Sequence, residues 1–227
     1  MPNFSGIWTV TQQMQAKGQS IWPDPPPTTI GQAYGGGFYA GQVGVSGVAT
    51  YYIIVGPVAS AQTSGIKYKN AGTATTGADS VIDGSQNTAD IVADGNSTVY
   101  PAGHFCNDLV IGGYTDWYMP AKNELEVCYY NLKPTTSSNF TNSGANLNAI
   151  PPRASNYTTG TPAQTSVVTF QSGGTEAFTG GSTPYWSSTE STAAGAWDQA
   201  FETNGGYQYV HNKANSFYLR AIRRVAV

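Results

Sequence analysis

Gly112-Gly113-Tyr114-Thr115-Asp116-Trp117-Tyr118-Met119-Pro120-Ala121-Lys122-Asn123-Glu124-Leu125 runs into the clearest helix signal in the chain. Pro120 stands at a first-turn position, where the missing amide proton costs nothing. Leu125, Cys128, Tyr129 and Leu132 then repeat at i, i+3, i+4 and i+7, one face of a helix. Glu124 and Glu126 fall in its N-terminal half, where carboxylates suit the helix dipole, and Pro134 ends it.

Upstream, residues 38–43 and 50–56 read as strands around the glycine-rich turn at 44–47, a hairpin pattern. Tyr51-Tyr52-Ile53-Ile54-Val55 is apolar without alternation, as expected of a strand covered on both faces. A second short helix is predicted over 87–93. Asn87 or Ser85 would be its N-cap, Gly95 its stop, and Ala89, Val92 and Ala93 its inward face.

Downstream, residues 135–165 are polar and contain Pro151-Pro152, which predicts a long surface loop. Strands are expected over 166–170, 184–188 and 196–203. Asn204-Gly205 marks a turn, 207–211 returns, and 217–225 makes a final strand. In the strand before the turn, Trp197, Gln199, Phe201 and Thr203 share one face, and Asp198, Ala200 and Glu202 the other. Two short helices among many short antiparallel strands and long loops predict an α+β domain.

The first stretch reads differently. Ile7, Val10 and Met14 make a short apolar stripe that Gly18 terminates, and Trp22-Pro23-Asp24-Pro25-Pro26-Pro27 must be extended. One short helix carrying Phe4, Ile7, Trp8, Val10 and Met14, with Trp22 beyond it, cannot bury its own apolar face. Residues 1–30 are therefore expected to be an anchoring or oligomerisation arm, and 31–227 the globular domain.

Composition narrows the function classes. Charged residues make up 10% of the chain and the net charge is −3, so clustered cations for a nucleic-acid partner are not expected. No apolar run is long enough to cross a bilayer, and residues 1–11 lack the basic and apolar regions of a secretory signal. Synthesis in a host cytoplasm is the expectation. Cys106 and Cys128 are too few for a disulfide scaffold and are read as two buried thiols.

Several blocks now fall into a familiar order. They are Gly35-Gly36-Gly37-Phe38-Tyr39-Ala40-Gly41, the run at 51–57, residues 85–93, Cys106 and the stretch at 112–125. Tyr185-Trp186-Ser187-Ser188-Thr189-Glu190, Ala196-Trp197 and Leu219-Arg220-Ala221-Ile222-Arg223-Arg224 follow. Together they resemble a C-type-lectin-like domain family of bacterial and phage proteins, best known as the C-terminal domain of a collagen-like bacterial adhesin. Asn3-Phe4-Ser5-Gly6-Ile7-Trp8 and Gln12-Gln13-Met14-Gln15 are similar to the start of phage structural proteins.

The resemblance implies a lectin-like head on a phage fibre or tail, bound to other virion proteins through the arm. It also implies a homo-oligomer, with a trimer favoured for a fibre. A purely structural decoration protein and a bacterial adhesin are the alternatives. In the family-motif positions, Asp116 and Glu190 are expected to anchor Arg220 or Arg223, in preference to serving as a hydrolytic carboxylate pair.

No catalytic constellation is read from the chain. Both cysteines precede the place where the related formylglycine-generating enzyme carries its reactive pair. His104 and Cys106 have no second pair to complete a metal site, so no metal and no cofactor are expected. What remains is a surface. Trp197, Asp198, Asn204, Tyr207, Tyr209, His211, Asn212 and Asn215 combine stiff aromatic area with adaptable amides, suited to a host glycan or protein receptor. An ordinary exposed hairpin is the competing reading.

Overall fold

Tyr51-Tyr52-Ile53-Ile54-Val55 forms the inner part of a four-stranded sheet, and its alternate residues enter two different cores. Ile53 and Val55 pack with Leu125, Cys128, Tyr129 and Leu132, whereas Ile54 packs with Trp117, Met119, Trp186 and Leu219. A strand with two buried faces is why this run carries no polar alternation.

The computed structural model describes residues 25–227 apart from 180 and 204. The expected arm helix and the arm residues Phe4, Ile7, Trp8, Val10, Met14 and Trp22 lie outside the described residues, as does Asn204. The elements run β1 (Ala33–Tyr34), β2 (Gly37–Val45), β3 (Val48–Val55), α1 (Val58–Ala61), β4 (Gln62–Lys67), α2 (Gly84–Asp94), α3 (Pro101–Asn107) and α4 (Lys122–Leu132). After a 3-10 turn at Val168–Phe170 come β5 (Tyr185–Thr192), β6 (Gly195–Gln199), β7 (Gln208–Asn212), β8 (Ser216–Arg220) and β9 (Ile222–Ala226). One sheet has the order β1-β2-β3-β9 and the other β4-β8-β5-β6-β7, an α+β arrangement. No helix among the described residues is long and apolar enough to cross a membrane.

The predicted hairpin forms as β2–β3. Its loop is Ser46-Gly47, both with positive φ (50° and 80°), as a two-residue turn matching the strand twist requires. The final strand is corrected. Residues expected to be one strand divide at Ala221, with β8 in one sheet and β9 in the other. Ala221 N–H donates to Ala61 and its carbonyl accepts from Gly56, which pins the crossing point. Ala221-Ile222 and Arg223-Arg224 break the alternation along 217–225 at this point.

Other expectations are corrected too. Residues 168–170 form a turn in place of a strand, because Phe170 drops into the core edge-on to Phe38. The strand expected to reach residue 203 stops at Gln199, and Phe201 stacks on Phe178 inside the core. Helix α2 is capped by Asp83, whose carboxylate accepts from the Gln86 amide. Thr88 and Ile91 face inward, while Ala89 and Ala93 are exposed. Asn87 is buried and bonds Ser80 and Ser188. Helix α4 begins two residues beyond Pro120. Helices α1 and α3 add to the two expected.

The two glutamates of α4, read as dipole partners, are both fully buried. Glu124 accepts from the Gly84 and Ala121 amides and from the Tyr118 hydroxyl, joining the starts of α2 and α4. Glu126 accepts from Asn146 and Tyr157 and pairs with Arg153. The expected surface loop is therefore folded back on α4, with Asn139, Asn146, Ala149 and Tyr157 buried. Its polar composition reflects hydrogen bonding to this helix as much as exposure.

Of the two carboxylates expected to hold C-terminal arginines, Asp116 does so. Arg223 donates to both Asp116 oxygens at 2.8 Å and stacks on Tyr114 at 3.9 Å, tying the stretch at 112–125 to β9. Glu190 instead pairs with the fully buried Lys213 at 2.8 Å, and Arg220 with Glu176 at 2.7 Å. Cys106 and Cys128 are buried and free, and burial raises the pKa of both thiols.

Candidate functional site

The site is built on the edge of the five-stranded sheet. Strands β6 and β7 pair with Asp198 opposite Tyr209 and Ala196 opposite His211. Directly opposed residues share a sheet face, so Asp198, Tyr209, His211 and the preceding Tyr207 stand on the same side. Trp197 opposes Val210 and stands on the other side, where the Lys122 ammonium sits 3.9 Å above its ring. The structure therefore brings together Asp198, Tyr207, Tyr209 and His211 and leaves Trp197 behind them.

The rings form a continuous row. Phe140 meets Tyr207 at 4.2 Å, Tyr207 stacks on Tyr209 at 5.3 Å, Tyr209 meets His211 at 4.9 Å, and His211 meets Phe217 at 5.1 Å. Such contacts contribute about 0.5–1.5 kcal/mol per pair beyond area burial, enough to preorganise the row. Tyr209 is 47% exposed, so much of its surface remains open to a partner. Beyond Phe217 the contacts continue inward to Trp186, which is fully buried.

Beside the row lies a pocket of about 310 Å³ lined by Ser182, Thr183, Thr203, Tyr207, Ser216 and Phe217, with Asp198 and His211 in its wall. Asp198 is only 3% exposed. Its Oδ2 lies 2.7 Å from His211 Nδ1, and Oδ1 has no hydrogen-bond partner among the described residues. Burial pushes the Asp198 carboxyl up to about 7, with the His211 contact acting in the opposite direction.

Asn212 and Asn215 sit in the turn after β7. The Asn212 side chain accepts from the Ala214 amide, and its carbonyl from the Asn215 amide, so Asn212 shapes the turn. Lys213, next to it, points inward to Glu190 and the Thr73 carbonyl. Among the described residues no group of three His, Cys, Asp or Glu is placed to hold a metal ion. His104 Nε2 donates to the Gly95 carbonyl at 2.7 Å.

Phe140 and Phe217 were not singled out by sequence reasoning. Phe140 had one available signal, a lone phenylalanine within a polar stretch. Phe217 was hidden inside an alternating strand pattern.

The chain matches no curated protein and no solved structure. Residues 75–223 match the family model described as the Lcl C-terminal domain. That span includes α2 to α4, the stretch at 112–125, the whole aromatic row and the Arg223–Asp116 anchor. The chain belongs to the Lcl C-terminal domain family.

Proposed function

We propose that residues 31–227 adopt a lectin-type scaffold for non-catalytic recognition, displayed on the surface of a virus particle. In this reading residues 1–30 anchor the head to other virion proteins, a homotrimer presents several heads, and the ligand is a host-surface glycan. No cofactor takes part.

The observation that carries the reading is the preorganised row Tyr207–Tyr209–His211 on an open sheet edge, next to a pocket rich in hydroxyls. Aromatic faces stack on the C–H faces of sugars, and hydroxyl and carboxylate groups meet their O–H groups. The Asp198–His211 pair also favours recognition over catalysis. Among the described residues neither ring nitrogen is hydrogen-bonded to a hydroxyl or thiol nucleophile, which a triad requires.

The test is binding of the full chain to a panel of surface glycans and to candidate host cells, alongside Tyr209→Ala. The expected result is saturable binding that falls about tenfold or more in the variant, a loss of at least 1.4 kcal/mol. Binding unchanged by removal of the Tyr209 ring overturns the reading.

A further inference from the structure

The geometry points to the pocket beside the aromatic row as a subsite for a single sugar residue without negative charge, held by Asp198 Oδ1 and walled by Tyr207 and Phe217. This rests on the reading of the face as a glycan-binding surface and goes further, to the class of sugar.

Three features of the pocket set that class. First, its lining sets hydroxyls from Ser182, Thr183, Thr203, Tyr207 and Ser216 beside the apolar surfaces of Pro184, Ala200 and Phe217, a mixture suited to the hydroxyls and C–H faces of a sugar. Second, Asp198 lines the pocket, and its Oδ1, which makes no hydrogen bond among the described residues, is an acceptor for a ligand hydroxyl or ammonium. Third, no lysine or arginine lines the pocket, and the Glu202 carboxylate accepts from the Gly181 amide close to the Ser182 wall. A uronate, sialate or sulfate brought here would meet the Asp198 carboxyl with no lysine or arginine to balance its charge.

The volume agrees. About 310 Å³ is of the scale of one small ligand, and it opens beside Tyr207, the ring shared between pocket and row. One residue of a chain would sit in the pocket while its neighbours lie along Tyr209.

The experiment titrates the full chain with methyl glycosides of neutral hexoses, N-acetylhexosamines and glucosamine, and in parallel with glucuronate, sialate and a sulfated hexose. It is followed by NMR shifts and repeated with Asp198→Asn and Tyr207→Leu. A thermal melt of each variant reports the fold. The expected result is saturable binding of at least one uncharged or amino sugar, with the acidic sugars weaker by about tenfold or more. Asp198→Asn lowers affinity for the preferred sugar and narrows the gap to the acidic ones, while Tyr207→Leu lowers affinity for all.

Equal or tighter binding of the acidic sugars overturns the assignment, as does occupation by lysine or arginine amide in place of sugars. If whole glycans or cells bind, yet no single sugar binds and Asp198→Asn changes nothing, the surface reading stands and the pocket assignment falls. If neither glycans nor cells bind, both fall.

Discussion

Asp198 reaches diagonally across the β6–β7 pair to His211, one step along the face from its direct partner Tyr209, and the two side chains meet at 2.7 Å. The contact gives a buried carboxyl its only donor among the described residues. His211→Ala should therefore cost roughly 1–3 kcal/mol by leaving that carboxyl without a partner. Val110→Ala, at a side chain that is 69% exposed, should cost under about 0.5 kcal/mol. Urea denaturation of both variants checks the difference, and equal small losses would count against the Asp198–His211 contact.

The pH dependence of stability should be dominated in part by Glu124. Burial pushes its carboxyl from the ordinary 4.5 to about 7, against the donors at Tyr118, Ala121 and Gly84. Between those values the folded protein keeps a proton that the unfolded chain releases. This contribution is fully present below about 4.5 and is lost as pH rises through 7. Glu124→Gln stays neutral throughout, so the fall in stability between pH 5 and 8 should shrink by roughly 2–3 kcal/mol. Denaturation midpoints at a series of pH values give the comparison; parallel curves would show Glu124 ionised in the folded state.

Glu176 holds Arg220 from the neighbouring layer. Arg220 is buried, donates to the Gly56 and Glu176 carbonyls, and meets the Glu176 carboxylate, which also accepts from the Val58 amide. Glu176→Ala leaves a buried guanidinium without its counter-charge and should cost about 3–5 kcal/mol. A chemical denaturation curve measures it directly, and a loss below about 1 kcal/mol would mean that water replaces the carboxylate.

Gly84 is required by close approach. A Cβ there would lie 2.4 Å from the Met119 carbonyl oxygen and 2.5 Å from the Ala121 nitrogen, both backbone atoms that cannot swing away. Gly84→Ala should destabilise by about 2 kcal/mol or more, through overpacking at the junction of α2 and α4. At Gly160 a Cβ meets nothing within 4 Å, so Gly160→Ala serves as the control. Melting temperatures of the two variants separate the cases.

How much was legible in the sequence depended on the range of the signal. Local periodicity placed α4 with Leu125, Cys128, Tyr129 and Leu132 inward, and the Gly-rich turn placed the β2–β3 hairpin. A family motif carried Asp116 to Arg223 across 107 residues. Charge was misleading where pairing was long-range. Glu126 reads as a partner of the helix dipole, yet it is the anchor for Arg153, Asn146 and Tyr157. Lys213 likewise sits in a polar turn and is fully buried, because Glu190, on the distant strand β5, satisfies it.

The candidate site divided in the same way. Alternation put Asp198 and Trp197 on opposite faces correctly, but did not say which face carries Tyr207, Tyr209 and His211. Register decides that, and register is set by the pairing of two strands rather than by either one. Phe140 enters the row only because the loop after α4 folds back, a contact no local pattern encodes.

The central claim is that this ring row is the recognition face. NMR of the full chain with aromatic side chains labelled, titrated with the glycan that binds best, tests it most directly. The account predicts shifts concentrated on the rings of Tyr207, Tyr209 and His211, with smaller ones at Phe140 and Phe217. Shifts confined to Tyr130 and Tyr157 beside Arg153, with the row silent, would contradict it.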